Sequence, residues 1–265
     1  MGILNLTPDS FSDGGRLATP DDALRQAERL LADGADVLDL GAESTRPGCQ
    51  PVDSREELSR LLPTLRLLRK RFPKTPLSVD TYKAEVAVAA LAEGADIIND
   101  VEGGRYGLQG EVSPMAQACA QADCPLILMH RRKEADYKDF WPDFTKDMQE
   151  ALRRALLAGV RAEQLWTDPG FGFGKTPAQN LMVVRNLSQL ASLGFPVLLG
   201  TSRKSTLGLV LGEPDPLRRE TAHHVTVAWG IAQGCSMIRA HDLAALRPVV
   251  RAADALRRGP GWSAS

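Results

Sequence analysis

Eight apolar runs in this chain end on residues that can hydrogen-bond, coordinate a cation or carry charge, and the chemistry gathers at those ends. The first run, MGILN at Met1–Asn5, breaks at Thr7-Pro8 into a loop reaching Gly15 that holds two acids, two serines and two closing glycines. Strand interiors have no use for such residues, whereas a loop over a ligand does. The same grammar returns in VLDLGAEST (37–45), LSVDT (77–81), DIIND (96–100), LILMH (126–130), LWTDPG (165–170), PVLLGTSRK (196–204) and MIRAHD (237–242). Asp80 and Asp168 close otherwise apolar runs, and a buried carboxylate is costly without a partner. That partner is either a neighbouring Lys or Arg or a ligand with adjacent N–H donors. With Asn99 on the same rim, the set suits a heterocycle with amine and lactam edges. Cations sit in Thr45-Arg46-Pro47-Gly48, Ser202-Arg203-Lys204-Ser205 and Arg239-Ala240-His241. Guanidinium forks match phosphate oxygens, and beside Asn5, an oxygen donor suited to Mg²⁺, they suggest a diphosphate.

Other features carry less. DPGFGFGKT at 168–176 has Pro169 where a nucleotide phosphate loop needs Gly, and its glycines alternate instead of taking the dinucleotide-binding spacing. They either let the backbone approach a planar ligand, with Phe171 or Phe173 as an apolar wall, or make a tight turn into the next helix. His130 is either a functional group or a hydrogen-bonded rim residue. Met129 is expected to pack, the run His130-Arg131-Arg132-Lys133 to be a solvated loop without chemistry, and His223 and His224 to be structural.

These residues need a scaffold that brings strand ends together. Between the runs lie segments with apolar residues at three and four spacing, at about 20–33, 54–71, 83–93, 114–122, 143–158, 178–192, 217–233 and 243–257. Gly34, Gly94, Gly159 and Gly194 fall where helices end. LADGADVLDL from Leu31 is echoed by LAEGADIIND from Leu91, two strand–helix units later. Val-, Ile- and Leu-rich runs without clean alternation indicate parallel strands covered by helices. Eight such units favour a single-domain α/β (β/α)8 TIM barrel over an open doubly wound sheet, with ligands at the C-terminal ends of the strands.

The chain has 265 residues and a net charge of -1, which gives no basic field for nucleic acid or anionic membrane. No apolar run reaches the roughly 18 residues of a membrane span. Cys49, Cys119, Cys124 and Cys235 lack metal-site spacing and read as reduced thiols of a cytoplasmic protein. Met1–Asn5 reads as a shortened first strand, with upstream residues of the natural protein missing or the barrel floor partly open, and 259–265 as a frayed tail.

The motifs GILNLTPDSFSDGG (2–15), DLGAESTRPG (39–48), SVDT (78–81), NDV (99–101), LMH (128–130), DPGFGFGK (168–175), SRKS (202–205) and IRAHD (238–242), in this order, resemble the dihydropteroate synthases, pterin-binding enzymes of bacterial folate synthesis. The resemblance implies a transferase, usually a homodimer, condensing 6-hydroxymethyl-7,8-dihydropterin diphosphate with p-aminobenzoate to give 7,8-dihydropteroate and pyrophosphate. It implies that Asp80, Asn99, Asp168 and Lys204 hold the pterin, with Val101 and Met129 against its ring and Arg239 nearby. Asn5 with Mg²⁺, Arg46, Arg239 and His241 would take the diphosphate, and Thr45, Pro47, Phe173 and Ser205 would line the p-aminobenzoate slot. The segment after His130, RRKEADYKDFW, departs from the family's Met-Gln-Gly type of loop. Alternatives are a methyltetrahydrofolate:corrinoid methyltransferase-like enzyme and a non-catalytic pterin-binding paralogue.

Overall fold

The computed structural model describes residues 1–7, 19–44, 50–261 and 263. Its class is α/β, with strands and helices alternating in (β/α)8 order. Two compact units are distinguished, Met1–Met129 with Glu150–Leu165, and His130–Gln149 with Trp166–Ser265.

In the first unit β1 (Gly2–Asn5), β2 (Leu38–Gly41), β3 (Leu77–Asp80), β4 (Ile97–Asp100) and β5 (Leu126–Met129) lie side by side in chain order, with parallel pairings throughout. Leu4, Leu38, Leu40, Leu77, Val79 and Ile98 are fully buried, as strands covered on both faces require. Between the strands run α1 (Pro20–Ala32), α2 (Ser54–Arg71), α3 (Ala84–Ala92) and α4 (Pro114–Ala122). Thr19 and Asp22 form a reciprocal capping box on α1, and Asp53 and Ser113 cap α2 and α4. Each cap satisfies a backbone donor that the helix cannot use itself. Buried Lys83 bridges Glu43 and Glu57, the latter at 2.6 Å. Burial pushes the Glu57 carboxyl up despite Lys83, while the two carboxylates hold the Lys83 ammonium above its usual range against the opposite pull of burial.

α5 (Phe140–Leu157) follows. In the second unit a parallel bridge between Thr167 and Val197 joins β6 (Leu165–Asp168) to the approach of β7 (Leu198–Leu199), which pairs in parallel with β8 (Met237–Ile238). Around them stand α6 (Pro177–Arg185), α7 (Leu187–Ala191), α8 (Ser205–Leu211), α9 (Glu220–Ala232) and α10 (Leu243–Arg258). Phe144, Phe171, Val183, Leu187, Leu199 and Leu207 form the centre of this unit's core.

Three boundaries differ from the sequence reading. The helix expected over 178–192 is broken at Asn186, whose backbone leaves helical geometry and whose Nδ2 donates to the Met182 carbonyl at 2.9 Å; an amide side chain that competes for a helix's carbonyls ends it. α8 lies in a stretch to which the sequence reading assigned no element, because seven residues are too few for a helical period to show. The helix expected from 217 starts at Glu220, after a short turn at Pro216–Arg218. Cys119, Cys124 and Cys235 are buried free thiols, and Cys49 lies outside the described residues. Among the described residues no helix is long and apolar enough to cross a membrane.

His223 is fully buried in α9, and the hydroxyls around it fix its proton. Thr226 Oγ1 donates to the His223 carbonyl at 2.8 Å, so it accepts from Thr201 Oγ1 at 2.8 Å, and Thr201 in turn accepts from His223 Nδ1 at 2.9 Å. Nδ1 of the ring therefore carries a proton. Burial, reinforced by the charges of His224 and Arg203, pushes its pKa down to about 4. Below its ordinary pKa the unfolded chain takes up a proton that the folded ring refuses. Stability is accordingly complete above pH ~6.5 and declines until pH ~4, by at most about 3 kcal/mol. Urea titrations across this range should show the decline, and His223→Gln should flatten it; an unchanged slope in the variant would refute the assignment.

Candidate active site

Parallel strands in register place equivalent residues in rows, and alternation sends every second side chain to the same face. In the first unit Asn5 pairs with Gly41, Gly41 with Asp80, and Asp80 with Asn99. Three polar residues that the sequence singled out thus share one level at the C-terminal ends of four strands. Gly41 leaves a gap in that row. A methyl group there would sit 3.8 Å from both Asn5 Oδ1 and Asp80 Oδ2, so glycine keeps two oxygen donors facing one small space. One level below, Asp39 pairs with Ser78. Asn99 Nδ2 donates to Asp39 Oδ2 at 3.3 Å, while Asn99 Oδ1 and Ser78 Oγ are buried without a hydrogen bond. Buried acceptors of this kind are costly unless a donor reaches them.

Val101, just beyond β4, and Met129, the last residue of β5, are both buried. The turn after β4 rides on Met129, whose carbonyl oxygen lies 2.6 Å from where a Cβ at Gly103 would be. Asp100 faces the other way and holds this turn by accepting the N–H groups of Glu102 at 2.8 Å and Gly104 at 2.7 Å. Burial pushes its carboxyl up to about 7, with those two N–H groups opposing the shift.

In the second unit Asp168 ends β6, buried, and its Oδ1 accepts the Gly170 N–H at 2.7 Å. Burial raises its pKa against the pull of Gly170 and of the charges on Lys204, Arg239 and Lys175. One strand end thus gathers a carboxylate and three cations. Lys204 Nζ stands 4.0 Å from the Phe173 ring centroid, and the Arg131 guanidinium lies 5.6 Å from that centroid; both are cation–π distances. Ser202 Oγ is 2.9 Å from His241 Nδ1 and accepts the His241 N–H at 3.4 Å, which ties the ends of β7 and β8 together. Ser205 is the first residue of α8. Thr45, Arg46 and Pro47 lie outside the described residues.

The solvated-loop expectation for His130–Lys133 holds for Lys133, which is exposed on a loop, but fails for His130 and Arg132. His130 is buried, its Nε2 is 3.2 Å from Asp147 Oδ2, and Arg132 Nε donates to the same oxygen at 2.7 Å. Asp147 sits in the middle of α5, too far along the chain for spacing to reveal the partnership. Its carboxyl would rise on burial alone, but His130 and Arg132 hold it well below the usual carboxylate range. Sequence reasoning also passed over Ser78, Ser202 and Lys175. All three lie inside motifs whose other members drew attention, which was the available signal.

The tight-turn reading of DPGFGFGKT is correct in geometry, since Gly170, Gly172 and Gly174 all have positive φ. At Gly174 (φ 55°) a Cβ would also lie 2.1 Å from the Arg132 carbonyl oxygen. Gly110 has a similar φ of 62° with nothing within 4 Å. Gly110→Ala should therefore cost about 1 kcal/mol from backbone conformation alone, and Gly174→Ala clearly more. Urea denaturation of both variants distinguishes them, and equal losses would show that the close approach is easily relieved.

Comparison with known proteins follows the same lines. Residues 1–241 match the family of pterin binding enzymes. The chain is similar to the dihydropteroate synthase of Bacillus subtilis (strain 168), 43% identical over 256 residues, covering 97% of this chain and 87% of that protein. It is similar in structure to a Clostridium difficile dihydropteroate synthase determined in the presence of pteroic acid, with a TM-score of 0.91, 41% identity and coverage of 97% and 96%. A Xanthomonas albilineans dihydropteroate synthase with 4-aminobenzoic acid gives a TM-score of 0.91, 39% identity and coverage of 98% and 93%.

Proposed function

The chain belongs to the pterin-binding enzymes and, among them, to the dihydropteroate synthases, with their (β/α)8 barrel fold, and from this we propose that residues 1–265 form one pterin-binding domain that joins p-aminobenzoate to a dihydropterin diphosphate. The products are 7,8-dihydropteroate and pyrophosphate. The observation that carries the reading is the row Asn5–Gly41–Asp80–Asn99, an acceptor-rich level in which the buried Asn99 carbonyl oxygen is still open to a donor. A pterin supplies such donors along its amine and lactam edges. Asp80, Asn99, Asp168 and Lys204 hold the pterin in this reading, with Val101 and Met129 on its ring and Arg239 nearby. Arg46, Arg239 and His241 bind the diphosphate. Thr45, Pro47, Phe173 and Ser205 line the arylamine slot.

An arylamine is a weak nucleophile, so departure of diphosphate is the demanding event. Cationic side chains aimed at the leaving group stabilise its growing negative charge. Arg239 and Arg46 keep their charge at all working pH values, and His241, steadied by Ser202, adds an N–H. Positive charge on the exocyclic methylene carbon is delocalised into the pterin. The reaction is thus a dissociative displacement of diphosphate, in which Asp168 and Lys204 position the ring and no side chain forms a bond to substrate. The donor set also fits Mg²⁺: Asn5 Oδ1 beside the small Gly41 offers a hard oxygen, and one amide oxygen leaves the other positions for phosphate oxygens and water. When bound, the ion would offset charge on the diphosphate.

Pyrophosphate release from dihydropterin diphosphate should depend strictly on p-aminobenzoate. Arg46→Ala should lower kcat at least tenfold while changing pterin affinity less than threefold. Release without the arylamine would overturn the reading, and a defect confined to the KM for the pterin would overturn the role of Arg46.

The working protein is a cytoplasmic homodimer in this reading. Leu181 of α6, Leu209, Val210 and Leu211 of α8, and Val225 and Trp229 of α9 are exposed on three mutually packed helices, and apolar groups so gathered favour burial against a second copy. Light scattering should give the mass of two chains, and Leu209→Lys with Val225→Glu should give that of one. A monomeric unsubstituted protein would refute it.

A further inference from the structure

Lys175 belongs to none of the roles above, yet its ammonium has more partners than protons. Nζ lies 3.0 Å from His130 Nδ1, 3.2 Å from the His130 carbonyl, 3.1 Å from the Gly170 carbonyl and 3.0 Å from the Phe173 carbonyl. An ammonium only donates, so His130 Nδ1 accepts and carries no proton. The ring's one proton is on Nε2, directed at Asp147 Oδ2 at 3.2 Å, where Arg132 also donates. Phe144 stacks on the imidazole with centroids 4.3 Å apart and Tyr137 at 6.1 Å. The Tyr137 hydroxyl donates to the Gly174 carbonyl at 2.9 Å. The loop 170–174 is thereby held at three carbonyls, two by Lys175 and one by Tyr137.

What this loop presents is the Phe173 ring, with Lys204 against it. The loop makes one turn bond of its own, from the Phe173 N–H to the Gly170 carbonyl at 3.0 Å, and its Gly172 N–H donates to Asn180 Oδ1 at 2.7 Å, so side-chain clamps do much to fix its position. Lys175 rests against His130, whose partner Asp147 is on α5, and Tyr137 lies in the segment that departs from the family's loop type.

We infer that Lys175 is a positioning residue, which sets the Phe173 wall of the arylamine slot by bridging the loop carbonyls to a neutral His130 held in its Nε2–H form by Asp147. The inference rests on the proposed arylamine slot, but its two halves are measured separately. Charged and titratable groups facing His130 are Lys175, Asp147, Arg132 and Tyr137. Lys175 opposes protonation of Nδ1, and Asp147 would otherwise favour the imidazolium.

Long-range nitrogen–proton NMR on the unsubstituted protein should show His130 as the Nε2–H tautomer between pH 6 and 9; an Nδ1–H or imidazolium signal there overturns the inference without reference to activity. In Lys175→Met, His130 should begin to titrate in that range. The KM for p-aminobenzoate should rise at least tenfold, with pterin binding by calorimetry within threefold. Equal losses for both substrates, or an unchanged KM, would refute the positioning role. Tyr137→Phe removes the third clamp without burying a charge, so it serves should Lys175→Met fail to fold. It should raise the same KM two- to fivefold, and no change in it would likewise refute the role. If the unsubstituted enzyme makes no dihydropteroate, the functional reading fails, while the NMR result still decides the His130–Lys175 arrangement.

Discussion

The rest of the structure depends on one constraint: polar side chains at the ends of apolar parallel strands are removed from water and must be satisfied by neighbours at the same level or by something that binds there. Register makes the constraint collective. In the first unit the pairing of Asn5, Gly41, Asp80 and Asn99 forces their side-chain positions into one row. Asn99 spends its amide on Asp39 and retains an open carbonyl oxygen. The second unit meets the constraint differently, surrounding the single buried carboxylate of Asp168 with Lys204, Arg239 and Lys175. The first arrangement is rich in acceptors and the second in cations.

Holding those rows steady falls to buried polar groups just outside them. Lys83 bridges Glu43, at the end of the segment after β2, to Glu57 on α2, and Tyr82 donates to Glu43 at 2.9 Å. Two carboxylates on one ammonium make a fully buried ionic cluster whose disruption would strand charge in the interior. Asp100 performs the equivalent task for the turn after β4, and Arg219 does so after α8 by donating to the carbonyls of Arg203, Glu213 and Pro214. Each turn so described is anchored by a buried side chain, a condition for precise placement of a ligand's contacts.

Protonation is arranged with the same economy. Burial keeps His223 neutral near neutral pH while its hydroxyl partners fix the Nδ1 proton, and at His130 the Lys175 ammonium faces Nδ1. The positive charge of the second unit's strand ends resides on Lys and Arg, which stay charged.

The sequence by itself determined the features that repeat within a segment: apolar runs with polar ends, helical periods, helix caps such as Thr19 and Ser113, and the motifs that carry the family resemblance. These are local, because strand length, helical period and capping are set by neighbours a few residues away. Tertiary structure alone decided which distant residues meet. Asn99 and Asp39 are 60 positions apart, and Lys175 and His130 are 45 apart. The run His130–Lys133 read as solvated because four polar residues in a row have no local reason to be buried, and only α5, by bringing Asp147 to them, made burial affordable. Asn186 and α8 escaped for the complementary reason, since a break of one residue and a helix of two turns are shorter than the period that would disclose them. Local chemistry named the groups, and chain topology, which brings strand ends together regardless of their separation in sequence, chose their partners.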